Sequence, residues 1–243
     1  MLVIGHRGAP AYEPENTLSS FALALELGAD MLEFDVFTLP TGEAVIFHDR
    51  YLDRTTDGTG LLLHHSFREL RRLDAGHGQK IPTLQEVLDL VERRAPLVVE
   101  LKTPGSAAVV AQILDEYIHN RGWRPEQFVV ASFDHRELQL FKTQYAPHIP
   151  IAASTASIHT DLAAFAERMG AMAIMPDMNC INRELVQDAH ERGLRVFSFV
   201  IATYEHTQEL LALGADAVFS DAPDVSLQAI QAGLAAGIRL HEV

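Results

Sequence analysis

Several short apolar stretches of this 243-residue chain carry charge where a buried strand would carry Val or Ile. In MLEFDV, Glu33 and Asp35 stand two apart, so on a strand both point to one face while Leu32, Phe34 and Val36 point to the other. In LVVELK, Glu100 and Lys102 share a face in the same way. Burying an unpaired carboxylate is costly, so such groups are normally held by a cation. Three carboxylates converging on one point form a hard, all-oxygen site suited to Mg²⁺ or Ca²⁺. The competing reading of the same spacing is salt bridges to helix residues on the outside of a sheet. Glu-x-Asp alone does not separate the two; Glu-x-Lys at a second strand end favours the metal.

Two histidines end apolar segments of this kind. His6 closes VIGH and is followed by Arg7 and Gly8; His48 closes AVIFH. A lone histidine at a strand end is commonly a packing residue. Two of them near an acidic site point instead to general acid–base work, because imidazole titrates near neutral pH. Arg7 and Lys102 offer fixed donors suited to phosphate oxygens, and Gly8 would let the backbone approach a ligand closely. The other ten histidines, His64 and His65 among them, fall in helical or loop segments and read as surface or structural groups.

These residues need a scaffold, and the chain supplies one in a regular pattern. Short apolar strands are expected over 3–5, 31–36, 97–101, 128–132, 150–154, 171–175, 195–200 and 216–220, with helix-length amphipathic segments between them. In NTLSSFALALELG, Leu18, Phe21, Ala22 and Leu25 recur at helical spacing, with Asn16 as the expected N-cap and Gly28 as the stop. Alternating strands and helices with near-continuous apolar strands imply a parallel sheet covered by helices. Eight such units in one domain of residues 1–243 predict a (β/α)8 TIM barrel. The alternative, an open doubly wound sheet, lacks a GxGxxG turn. One segment, 44–48, follows the second strand too closely for a parallel crossover and is expected to run antiparallel to it. A small insertion over about 50–82, rich in Gly, Asp, His and Arg, then sits near the barrel mouth. A helix from Thr83 to about Arg94 leads back to the next barrel strand.

Composition narrows the partners. Hydrophobic residues make up 48% and charged residues 21%, ordinary for a globular chain. A formal net charge of -14 disfavours nucleic acid or an anionic membrane as the main partner. A small anionic substrate remains compatible, provided Arg, Lys or a metal concentrates positive charge locally. The apolar start is too short for a signal peptide, no apolar run is long enough to span a bilayer, and Cys180 is the single cysteine. The expected setting is the cytoplasm, without stable membrane association.

HRG, PENT, GADMLEFDV, GEAVIFHDRYLDRTTDGTG, VVELK and a closing GADAVFSDAPD, in that order, together resemble the glycerophosphodiester phosphodiesterase family over nearly the whole chain. The resemblance implies a (β/α)8 barrel with a small insertion after its second strand. It implies one divalent cation, Mg²⁺ or Ca²⁺, on Glu33, Asp35 and Glu100, and His6 with His48 as the acid–base pair. It places Arg7 and Lys102 near the phosphate of a glycerophosphodiester substrate. Asn16 matches the motif Asn, as a ligand-side group or only as the helix cap. Two departures stand out. The turn before the second His reads TLPTGE rather than carrying the usual Asp-Gly, a loop change that leaves the chemistry alone. Near the end, Phe199 keeps the aromatic of the mouth, but Val200 and Ala202 replace the usual Thr and Asn, which bears on leaving-group preference.

The expected reaction is hydrolysis to sn-glycerol 3-phosphate and an alcohol. Two rivals are a lysophospholipase D-type diesterase, which calls for a wide apolar mouth, and a non-catalytic glycerophosphate-binding barrel. The short polar insertion argues against the first. A paired acid and base argue against the second.

Overall fold

A computed structural model describes residues 1–201 and 203–238. Nine strands form one sheet: β1 (Leu2–His6), β2 (Met31–Thr38), β3 (Ala44–Ile46), β4 (Leu97–Leu101), β5 (Phe128–Ser132), β6 (Ile151–Thr155), β7 (Ala173–Pro176), β8 (Arg195–Ile201) and β9 (Ala217–Ser220). Their order is β1-β9-β8-β7-β6-β5-β4-β2-β3, and β1 also pairs with β2, so eight parallel strands close into a barrel. The helices α1 (Leu18–Glu26), α2 (Phe67–Leu70), α3 (Leu84–Val91), α4 (Ser106–Arg121), α5 (His135–Leu140), α6 (Ala164–Arg168), α7 (Arg183–Glu191), α8 (Tyr204–Leu213) and α9 (Pro223–Ala235) intervene. With α2 excepted, these helices connect successive barrel strands or, as α9, follow the last one, and the protein is a TIM barrel.

Strand alternation divides the core in two. Leu32, Phe34, Val36, Leu97, Val99, Phe128 and Val130 face outward and pack with Phe21, Leu84, Leu88 and Leu114 of the helices. Inside the barrel sit Ile4, Met31, Val98, Ala131, Ala152, Ala173, Phe197 and Ala217. Four alanines at this level leave little bulk in the lumen, while the residues two further along β1, β2 and β4 are His6, Glu33 and Glu100. A hydrophobic plug therefore floors a polar layer on the C-terminal side, where barrel enzymes keep their chemistry.

The short segment after β2 behaves as expected, with one change of length. β3 pairs antiparallel with β2 in the register Val36↔Ile46, Phe37↔Val45 and Thr38↔Ala44. The strand stops at Ile46 rather than His48, and on its edge away from β2 the Ile46 N–H donates to the Pro82 carbonyl (2.8 Å). The Phe47 N–H still reaches the Asp35 carbonyl at 3.0 Å. That bond delivers His48 to the level of Asp35.

The insertion that follows is less polar in effect than in composition. Leu52, Leu62, Leu70, Ala75 and Ile81 bury themselves against Phe37, Leu39, Val45 and Phe47, a small core of its own on the outer side of β3. It closes through α3, whose N-cap Thr83 and Glu86 form a reciprocal capping box. The helix ends at Val91, short of the expected Arg94, with Glu92 and Arg93 at positive φ. Among the described residues no helix is long and apolar enough to cross a membrane.

Candidate active site

Sheet register assembles the acidic groups. His6 of β1 pairs with Glu33 of β2, and Asp35 of β2 pairs with Glu100 of β4. All three carboxylates point into the barrel rather than outward to the helices, and one oxygen from each lies within 4.8 Å of the others. The outer-salt-bridge reading is thereby excluded. With His6, Arg7, His48, Lys102, Phe133, Met175, Phe199 and Phe219, they line a cavity of ≈ 140 Å³. Of the candidate site residues expected from the sequence, His6, Arg7, Glu33, Asp35, His48, Glu100, Lys102 and Phe199 line this one cavity, Asn16 touches it through Asp35, and Gly8 stands apart from it.

The electrostatics of the three acids differ. Burial works against the Asp35 carboxylate, but Lys102, Arg7, His48 and an Asn16 amide bond hold its pKa below the usual value. Lys102 Nζ stands 3.3 Å from Asp35 and 2.8 Å from Glu100, and Arg7 Nε stands 3.3 Å from Asp35. Glu33 is less well served: among the described residues its carboxylate accepts only the Arg7 backbone N–H, at 3.0 Å. Burial, then Asp35 and Glu100, push Glu33 well above the ordinary carboxylate range. Burial and Asp35 also push Glu100 up, with Lys102 opposing. A cluster in which two of three acids are pushed toward the protonated form, built from hard oxygen donors only, fits a divalent cation, whose charge would offset both the burial and the mutual repulsion behind the upward shifts.

Each histidine is gripped from behind. His6 Nδ1 meets Asp221 Oδ1 at 2.7 Å, and His48 Nδ1 meets Asp49 Oδ1 at 2.6 Å. A carboxylate on Nδ1 fixes the proton there and leaves Nε2 as the working nitrogen. Burial lowers the His48 pKa, helped by Arg7 and Lys102 and opposed by Asp35 and Asp49. Sequence reasoning missed both orienting acids. Asp49 could have been suspected from its place directly after His48. Asp221 stands in the closing motif GADAVFSDAPD, but 215 residues separate it from its partner and nothing local ties it to His6.

A further layer supports this one. Arg54, in the short turn Leu52–Arg54 of the insertion, donates to both oxygens of Glu15 (2.7 Å each) and to both oxygens of Asp49 (2.6 and 2.9 Å). Glu15 in turn accepts Arg7 Nη1 at 2.7 Å. One guanidinium thus ties the carboxylate behind His48 to the carboxylate behind Arg7.

Two expectations need correction. Asn16 does not cap α1. Its φ of 57° is left-handed, whereas an N-cap is extended; Thr17 (φ -114°, ψ 159°) takes that role and accepts the Ser20 N–H. Asn16 is instead buried and donates Nδ2 to Asp35 Oδ2 at 2.9 Å. Gly8 serves the fold, not ligand approach: at φ 95° it lies on α1, where a Cβ would meet Ser20 Oγ at 2.3 Å. Arg7, at φ 54°, shares this tight turn, whose carbonyl accepts the Ser20 hydroxyl at 3.0 Å. Phe199 lines the cavity as expected and packs edge-on against Phe133 and Phe219. The departures at Ala202 and at the Val200 side chain lie outside the described residues.

A model of the glycerophosphoryl diester phosphodiesterase family matches residues 6–225. The chain belongs to that family. A glycerophosphodiester phosphodiesterase of Caldanaerobacter subterraneus is 32% identical over 96% of this chain and 98% of its own. One from Bacillus altitudinis is 29% identical over 91% and 95%. Among solved structures, an Oleispira antarctica phosphodiesterase in complex with the product sn-glycerol-3-phosphate superposes with a TM-score of 0.87 at 30% identity, covering 95% of this chain and 97% of that one. A glycerophosphodiester phosphodiesterase from Agrobacterium tumefaciens gives 0.79 at 26% identity, over 94% and 99%.

Proposed function

We propose that the protein hydrolyses glycerophosphodiesters to sn-glycerol 3-phosphate and an alcohol such as choline, ethanolamine or glycerol. The observation that carries this reading is one cavity holding three converging carboxylates and two histidines, each imidazole backed by a carboxylate on Nδ1. Pure binding does not call for a matched acid and base. A family relative with sn-glycerol-3-phosphate as its product supports the substrate class.

Glu33, Asp35 and Glu100 would hold one divalent cation, Mg²⁺ or Ca²⁺, which supplies charge stabilisation for a phosphoryl oxygen and acidifies a neighbouring hydroxyl. The side chains do the rest. His48, its pKa lowered by burial, stays neutral at pH 7 and suits the base that takes the proton of the glycerol 2-hydroxyl through Nε2. The hydroxyl oxygen bonds to phosphorus, the bond from phosphorus to the alcohol oxygen breaks, and His6, entering the step with both ring nitrogens protonated, gives the Nε2 proton to the departing alcohol and keeps the one on Nδ1 against Asp221. Water then opens the cyclic phosphate with the proton roles reversed. Arg7 and Lys102, kept cationic by Asp35 and their other acidic neighbours against the effect of burial, face the charge that builds on the phosphoryl oxygens. Asn16 acts through Asp35, and Phe199 walls the cavity.

The experiment is an assay of released glycerol 3-phosphate from glycerophosphocholine, with and without EDTA, beside the 2-deoxy analogue. The natural diester should turn over, EDTA should stop it and Mg²⁺ or Ca²⁺ restore it. No turnover of the natural diester at any metal concentration overturns the reading. Cleavage of the 2-deoxy analogue at nearly the natural rate leaves the diesterase and removes the cyclic intermediate.

A further inference from the structure

The mouth of the barrel carries four cations beside the cavity, and three of them are spoken for. Arg7 is held by Glu15 and Asp35, Lys102 by Glu100 and Asp35, and Arg54 by Glu15 and Asp49. Arg50 differs. It is exposed, and among the described residues its guanidinium makes no hydrogen bond or ion pair. Its backbone is not loose, since its carbonyl accepts the Leu62 N–H at 2.9 Å.

Arg50 borders two further cavities. One, of ≈ 230 Å³, shares Glu100, Lys102 and Phe133 with the candidate active site and continues from it past Ser132 and Asp134. The other, of ≈ 270 Å³, runs beneath the insertion between Phe37, Leu61, Leu63 and Pro104. Lys102, Thr103 and Pro104 form the wall common to both. A diester whose phosphate lies against Lys102 has one end committed to the acidic cluster, and its other end has this space to enter. Asp134, the acid nearest that path, is already occupied: it caps α5 by accepting the Arg136 and Glu137 N–H groups and pairs with the Arg136 side chain. The remaining free charge on this path is therefore positive, in a chain of net charge -14 that repels anions at longer range.

We propose that Arg50 and the two cavities it borders form a subsite for the leaving alcohol that selects alcohols bearing an anionic group, a carboxylate or a second phosphate. The inference rests on the diesterase reading above and deepens it. The guanidinium presents a planar fork of donors matched to two anionic oxygens, which a lysine would meet only as a point charge.

Two substrate pairs isolate that charge. Glycerophosphoserine and glycerophosphoethanolamine differ by one carboxylate; the diesters of glycerol phosphate and of glycerol differ by one phosphate. The readout is the ratio of kcat/KM within each pair, for the wild type, Arg50→Gln and Arg50→Lys. The anionic member should be preferred by the wild type. Arg50→Gln should lower that ratio about tenfold, equivalent to about 1.4 kcal/mol, with Arg50→Lys between them. A response in one pair alone supports the subsite and names its anion. An unchanged ratio in both pairs, even with all rates reduced together, overturns it. Calorimetric binding of the same intact diesters to a His6→Ala/His48→Ala protein, with and without Arg50→Gln, reads the ratio without turnover. Failure of catalysis would thus count against the diesterase reading while Arg50 was still decided.

Discussion

Arg54 lies outside the cavity, yet its removal should be felt inside it. Its guanidinium makes four charge-assisted hydrogen bonds, two to Glu15 and two to Asp49. The Arg54 side chain is 49% exposed, while Glu15 and Asp49 are 17% and 25% exposed. Fully exposed pairs contribute roughly 0.2–1 kcal/mol, and hydrogen bonds to charged groups in drier settings about 1.5–3 kcal/mol. With solvent screening on the Arg54 side, about 1 kcal/mol per carboxylate is reasonable, so Arg54→Met should cost about 2 kcal/mol. For a chain of this size that is a fall in Tm of roughly 4–8 °C. The larger effect should be kinetic. Without Arg54, Asp49 is free to swing away from His48 Nδ1, and Glu15 from Arg7. Loss of an outer support of this kind costs on the order of 10–100-fold in activity. The fall should appear in kcat more than in KM, because Lys102 and the acidic cluster are untouched. Arg54→Lys should recover much of the Tm but less of the rate, since one ammonium cannot fork onto two carboxylates. Steady-state kinetics at a temperature where all three proteins are folded would check this. A kcat for Arg54→Met within twofold of the wild type would refute the argument that the network positions His48.

Two other outcomes are expected. His6→Ala and His48→Ala should each lower kcat on the order of 10²–10⁴-fold with a smaller change in KM, and melts run beside the kinetics should show folded protein; variants that lose stability but keep their rate would make the histidines packing groups. Addition of Mg²⁺ or Ca²⁺ to chelator-treated protein should raise Tm more at pH 8 than at pH 5. The sign follows from Glu33: a carboxylate whose folded pKa is raised costs stability once it ionises, a cost present at high pH and relieved as the pH falls and the group is protonated. A bound cation removes that cost only where it exists, so a Tm gain that is absent, or equal at both pH values, would count against the metal site.

Much of this was legible from period and order. Eight apolar strands separated by helical segments predicted the barrel, and observed strand ends differ from the expected ones by two residues at most, β3 included. Alternation alone placed Glu33 and Asp35 opposite Leu32, Phe34 and Val36, and the structure keeps that division. What was missed depends on contacts between distant segments. Asp221 reaches His6 because β1 and β9 are neighbours in the closed barrel. The reversal at Asn16 came from a conflict of local and distant demands: Asn is a good N-cap, but here its amide is committed to Asp35, and Thr17 is next in line. The insertion's own core was hidden because its five apolar residues are scattered among polar ones with no helical or strand period.

The supporting network also explains why an excursion off the second strand belongs at this point of the barrel. A strand returning antiparallel to β2 comes back toward the carboxylates, so His48 arrives above Asp35 from a segment that contributes nothing to barrel closure. The insertion then anchors that arrival twice, with Leu52 buried in its own core and Arg54, two residues on, clamped to Asp49. Among the described residues, the fixed cations paired with the carboxylates Asp35, Glu100, Glu15 and Asp49 are Arg7, Lys102 and Arg54. The outer acids are matched by Arg54 and Arg7, which leaves the unmet charge at Glu33, a carboxylate whose side chain has no cationic side chain in hydrogen-bonding contact among the described residues. Arg54 therefore does more than orient two side chains. By neutralising the outer acids, it confines the deficit to the floor of the cavity, where a cation and the phosphate would meet.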